Sequence, residues 1–190
     1  MAELVIGDPA LLATDVGPVI DAAAQEVLEH HAARMEREGR LIYRCILPPG
    51  TEHGTYFAPQ AFEIDSAAPL TAEVFGPILH VVRWHADRLD AVIDEIAATG
   101  YGLTLGIHSR IDETVRHILA RLRVGNSYVN RSMIGAVVGV QPFGGEALSG
   151  TGPKAGGPRY LHRFATERTV STDTTAAGGN ATLLSLQEEG

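Results

Sequence analysis

Between Ile78 and Val129 the chain alternates strand, helix, strand, helix, strand with only short joins. Ile78 to Trp84 is an apolar strand run. Leu89, Val92, Ile93 and Ile96 then recur at helical spacing, with Asp87 placed to cap that helix. Gly100 and Gly102 punctuate its end, and Leu103 to Ile107 is a second short strand. Ser109 and Asp112 resemble a capping box ahead of Ile111, Val115, Ile118, Leu119 and Leu122, which share one helix face. Val124 to Val129 is the third strand. This alternation predicts an α/β fold, an open, mostly parallel sheet with flanking helices. Ligands of such sheets bind beyond the carboxyl ends of the strands.

The N-terminal third predicts a helix from about Pro18 to Glu38, stopped at Gly39. Leu41 to Leu47 reads as a strand, and Thr55 to Ile64 as an extended segment broken at Pro59. A sheet of three parallel strands is small, and parallel sheets are covered on both faces. The pattern therefore predicts part of a larger fold, with apolar faces and edges that associate in isolation.

Bulk properties exclude several classes. Apolar residues make up 45% of the 190 residues, enough for a core. A formal charge of -8 argues against nucleic-acid binding, which needs a basic face. No apolar run reaches the roughly 18 residues of a membrane span. The first fifteen residues lack the pattern of a signal peptide. One cysteine precludes an internal disulfide framework and suits a reducing cytoplasm.

Residues 141–158, QPFGGEALSGTGPKAGGP, carry six glycines and three prolines. Composition allows either a flexible spacer or a shaped loop. Its place shortly after the third strand favours a site loop. Phe143, behind Pro142, offers a flat apolar wall, and Gly135-Ala136 can turn backbone N–H groups toward an anion. Glu73, in EVFGP before the first apolar strand, reads either as an exposed turn acid or as a carboxylate that accepts sugar hydroxyls. The tract has neither the P-loop spacing nor a dinucleotide fingerprint opening a helix. Cys45, within LIYRCIL, reads as an inert strand residue rather than a nucleophile. The eight histidines lack metal-ligand spacing and read as surface residues, so no metal is expected.

With these residues in view, EVFGP, GYGLTLGIHSRI, GNSYVNR and VVGVQPFGGEALSGTGPKAGGPRYL together resemble the C-terminal part of an aldehyde dehydrogenase. The last stretch is closest to the L-glutamate γ-semialdehyde dehydrogenases. The tail VSTDTTAAGGNATLLSL resembles the C-terminus of the bifunctional proline utilization A proteins. The resemblance implies that Glu73 binds the nicotinamide ribose of NAD, with Phe75 and Leu103 lining that site. It implies that Gly135 and Ala136 hold the substrate's carboxylate through backbone N–H groups. Phe143 would wall the aliphatic part of that substrate, glutamate semialdehyde.

The family reaction uses a cysteine thiolate, hydride transfer to NAD⁺ and a glutamate-activated water. Cys45 does not match that nucleophile. The resemblance therefore implies that the nucleophile, the base glutamate, the oxyanion asparagine and the dinucleotide-binding domain lie upstream of Met1. The 190 residues are expected to be inactive alone. It also implies a division into residues 1–163, the C-terminal part of the catalytic domain, and 164–190, an oligomerisation strand and tail. Residues 164–172 would make a homo-oligomer. A stand-alone, non-catalytic protein using the same fold for assembly or metabolite binding is the alternative reading.

Overall fold

The computed structural model of the chain describes residues 1–137 and 139–173. They group into two compact units. The first joins residues 1–135 to 144–151, and the second joins 136–143 to the chain from 152 onward. The expected tail beyond Asp173 lies outside the described residues.

In the first unit, α1 spans Ala22–Glu38. Asp21 caps it, its carboxylate accepting the Ala24 N–H at 2.7 Å. The helix begins four residues later than the expected Pro18. The preceding backbone is committed elsewhere: the Val19 N–H donates to the Thr55 carbonyl at 2.9 Å, and the Thr55 hydroxyl donates to the Val19 carbonyl at 2.5 Å. Leu28, His31, Ala32 and Met35 recur at helical spacing and are buried. They face a sheet of β1 (Arg40–Arg44), β2 (Gln60–Ile64) and β3 (Ile78–Val82), in that order. β1 is antiparallel to β2, and β2 is parallel to β3. Leu28, Ala32, Met35, Phe57, Phe62 and Ile64 form the core of this region.

The remainder of the unit begins with α2 (Leu89–Ala98) and β4 (Tyr101–Gly102). It continues with β5 (Thr104–Ile107), α3 (Asp112–Arg121), β6 (Asn126–Val129) and β7 (Glu146–Ala147). β5 and β6 are parallel, with α3 as their crossover, and β4 pairs antiparallel with β7. Arg121 and His117 of α3 bond Asp90 of α2, and Arg121 also reaches Asp94. His117, then Arg121, hold the Asp90 carboxyl below its ordinary value.

Three local expectations change. The three predicted strands do not form one sheet: β3 pairs with β2, while β5 pairs with β6. Periodicity locates a strand but is blind to which edge it meets. Asp87 lies inside a short 3-10 turn, Ala86–Arg88, and caps nothing with its side chain. Ser109 makes no capping box. Its hydroxyl accepts the Ile111 N–H at 3.1 Å, one residue before α3 starts.

Candidate functional site

The loop from β2 to β3 carries Glu73 and Phe75 and ends at Gly76-Pro77. Gly76 has φ 156°, and a Cβ there would sit 2.4 Å from Leu28 Cδ2. Glycine is therefore required where this loop crosses α1. Leu70 and Val74 pack against the core, which leaves Glu73 and Phe75 outward. Phe75 is 83% exposed.

Opposite this loop runs the turn out of α2. The Thr99 hydroxyl donates to the Ile96 carbonyl at 2.8 Å and accepts the Tyr101 N–H at 3.3 Å. That turn delivers Tyr101, Leu103 and Thr104 to a cleft of about 660 Å³, which Glu73 and Phe75 also line. The three residues expected to meet one cofactor thus lie around one opening. The cleft also contains Leu148 and Ser149, which sequence reasoning missed as site residues.

Those two residues show that the glycine-rich tract is a built loop, not a spacer. Residues 144–151 of the tract belong to the first unit. The Gly144 N–H donates to Asn126 Oδ1 at 3.2 Å, and the Gly102 N–H donates to Ser149 Oγ at 3.0 Å. The Leu148 N–H reaches the Gly100 carbonyl at 3.1 Å. A Cβ on Gly125 would lie 1.9 Å from the Gly144 carbonyl oxygen, so the two backbones are in direct contact.

The rest of the tract belongs to the second unit. Phe143 and Ala155 form an antiparallel bridge, with N–H···O distances of 3.1 and 2.9 Å. Ala136, Gly139, Gln141, Phe143, Ala155 and Gly156 line a hollow of about 290 Å³. Two of the three expected substrate residues, Ala136 and Phe143, therefore share one concavity. Gly135, the third, precedes Ala136 with φ 73°. Gln141 was also missed. Its side-chain oxygen accepts the Val137 N–H at 3.1 Å, while its own N–H donates to the Val137 carbonyl at 2.8 Å. This clasp sets the turn between Ala136 and Phe143.

Cys45 lies just past β1 and is buried. Its thiol donates to the Met1 carbonyl at 3.5 Å, and its N–H to the Pro59 carbonyl at 2.9 Å. A packed thiol of this kind is not a poised nucleophile. The reading of all histidines as surface residues needs correction. His31 is buried, and its Nε2 lies 2.9 Å from Nε2 of His80. Burial, and then the charge of Arg34, lowers the His31 pKa, while Glu38 opposes; burial, His31 and Arg34 lower that of His80. The adjacent His30 is exposed, as neighbours on a helix face different ways. Among the described residues, no three His, Cys, Asp or Glu side chains are placed to hold a metal.

Comparison with known proteins bears on the whole chain. The aldehyde dehydrogenase family profile matches residues 1–170. The bifunctional protein PutA of Klebsiella aerogenes is 53% identical over 173 residues, which cover 88% of this chain and 13% of that protein. A 1-pyrroline-5-carboxylate dehydrogenase of Geobacillus sp. is 37% identical, over 89% of this chain and 32% of that one. Among solved structures, a proline utilization A of Bradyrhizobium japonicum superposes with TM-score 0.84 at 59% identity, covering 92% of this chain and 18% of that one. A 1-pyrroline-5-carboxylate dehydrogenase from Thermus with bound NAD gives TM-score 0.75 at 36% identity, over 86% of this chain and 31% of that one. The chain therefore spans only 13% of the length of the PutA relative and 32% of the length of the Geobacillus dehydrogenase. With a family profile running from Met1 to Val170, and a fold shared at this level of identity, the chain belongs to the aldehyde dehydrogenase family.

Proposed function

We propose that these residues form the nicotinamide-ribose and substrate-carboxylate sides of an NAD-dependent L-glutamate γ-semialdehyde dehydrogenase, which oxidises the aldehyde from proline breakdown to L-glutamate. The observation that carries this reading is the cleft shared by Glu73, Phe75 and Leu103. An exposed carboxylate offers acceptors for the two hydroxyls of a ribose. The exposed Phe75 ring and Leu103 supply apolar surface for a flat heterocycle. The cleft thus fits a nicotinamide nucleoside, and the NAD bound to the Thermus relative points the same way. When bound, the nicotinamide accepts hydride; the residues of the cleft hold and orient it.

The hollow at Ala136 and Phe143 suits the other reactant. On this reading the hollow takes a small molecule whose carboxylate meets backbone N–H groups near Ala136 and whose aliphatic stem lies against Phe143. This reading places the nucleophilic cysteine and the base glutamate outside the 190 residues, since Cys45 is buried and lines neither concavity. The working enzyme is cytoplasmic, and residues 164–172 join one subunit to another by strand pairing, as a segment distinct from residues 1–163.

The test is a chimera. This chain replaces the corresponding segment of the Escherichia coli PutA relative, which is 51% identical to it. The expected result is NAD⁺ reduction driven by glutamate semialdehyde, with Glu73→Ala raising KM for NAD⁺ about tenfold through the lost hydrogen bonds. A folded chimera that reduces no NAD⁺ overturns the reading. The 190-residue chain alone is expected to show no turnover; turnover would contradict the assignment of the nucleophile elsewhere.

A further inference from the structure

The loop that carries Glu73 and Phe75 is fastened very differently on its two sides. Toward the core, Leu70 and Val74 supply apolar packing. Toward α2 a hollow of about 320 Å³ remains, bordered by Leu70 and by the small residues Ala67, Ala68, Thr71, Ala98 and Thr99. A charged side chain spans the gap: Glu95 of α2, whose carboxylate accepts the Ala67 N–H. Such a charge-assisted bond is stronger than one between neutral groups. The loop's own bonds are local, Leu70 N–H to the Ala67 carbonyl at 2.9 Å and Ala68 N–H to Ser66 Oγ at 3.3 Å, so they do not reach α2.

Helix stability does not account for Glu95. It stands in the last turn of α2, a helix with no basic residue there. A carboxylate so placed faces the negative end of the helix dipole. The same helix runs directly into the Thr99 turn that presents Tyr101 and Leu103 to the opposite wall of the cleft.

We propose that Glu95 is a positioning residue: by anchoring Ala67 to α2 it sets the spacing between the Glu73–Phe75 wall and the Tyr101–Leu103 wall. The proposal rests on the reading of this cleft as the cofactor side of the enzyme. Glu95 touches no reactant itself.

Glu95→Ala removes the acceptor, whereas Glu95→Gln keeps an oxygen for the Ala67 N–H. Amide hydrogen exchange in the full 190-residue chain is expected to quicken about tenfold across residues 65–77 in Glu95→Ala, with α1 and β2 as protected as before. Glu95→Gln is expected to restore most of that protection. In the chimera, Glu95→Ala is expected to raise KM for NAD⁺ several-fold, leaving kcat and the KM for aldehyde close to those of the parent chimera. Unchanged exchange over 65–77 overturns the proposal, as does loss of protection throughout the chain in both variants. If Glu73→Ala raises KM for NAD⁺ and Glu95→Ala does not, the positioning role fails while the cofactor reading stands. If neither variant affects KM for NAD⁺, the cofactor reading fails, and this proposal with it.

Discussion

The two halves of the first unit are held together by different means. Around α1 and β1–β3, side-chain volume does the holding. Leu28, Met35 and Phe62 are fully buried, and the helix drives four residues of one face into the sheet. Around β4–β7 that resource is thin: α2 and α3 each bury a single residue, Ile93 and Val115. There the backbone does the work. Gly102, Gly125 and Gly144 lie so close that main-chain atoms touch, and short ladders stitch residues 100–103 to 125–126 and 146–148. A region built from side-chain volume closes on itself. One built from backbone contact leaves its side chains outward, and it supplies the Tyr101, Leu103 and Leu148 side of the candidate cleft.

The largest effect that would break this contrast is in the packed half. Phe62→Ala deletes a ring with no solvent exposure and is expected to cost about 3–5 kcal/mol in denaturant unfolding. A loss below about 1 kcal/mol would mean that the core is not what holds this half. A smaller effect belongs to the other half. Gly125→Ala forces a methyl group against the Gly144 carbonyl and is expected to cost about 1–3 kcal/mol. Its damage should show as faster exchange at Gly102, Asn126 and Leu148, with α1 unaffected. A neutral Gly125→Ala would refute the backbone-contact account.

The smallest effect sharpens the comparison through pH. His31 and His80 both have pKa values below the ordinary imidazole value, chiefly through burial, so the unfolded chain takes up protons first. The stability they contribute is whole above about pH 6.5. It is lost as pH falls through their lowered folded-state values. Protection of α1 and β3 should therefore weaken on mild acidification before that of β5 and β6. Replacing both histidines with glutamine should flatten the difference, and a pH response equal in the two halves would count against it.

Much of the candidate cleft was legible because its residues are local punctuation. Glu73 and Phe75 stand just ahead of the strand-forming run that opens at Ile78, and Leu103 just ahead of β5, so each sits at a border that the apolar pattern marks. Gly135 and Ala136 precede a turn that the structure contains. The residues missed, Tyr101, Gln141, Leu148 and Ser149, act through contacts with distant or unpatterned segments. Ser149 reaches Gly102 across 47 residues, and no periodicity registers that. His31 was misread for a related reason: its partner His80 lies 49 residues away.

What the order of residues determined by itself was element type and position. Helical spacing, strand-forming runs and the glycines between them depend on interactions a few residues long, which amino-acid identity sets directly. Only the tertiary structure decided which strand edges met, placing β3 beside β2 and β5 beside β6. It alone brought Leu148 and Ser149 of the glycine-rich tract to the cleft. Those outcomes turn on how closely backbones from distant segments can approach, and a strand's pattern of apolar residues is the same whichever neighbour it finds.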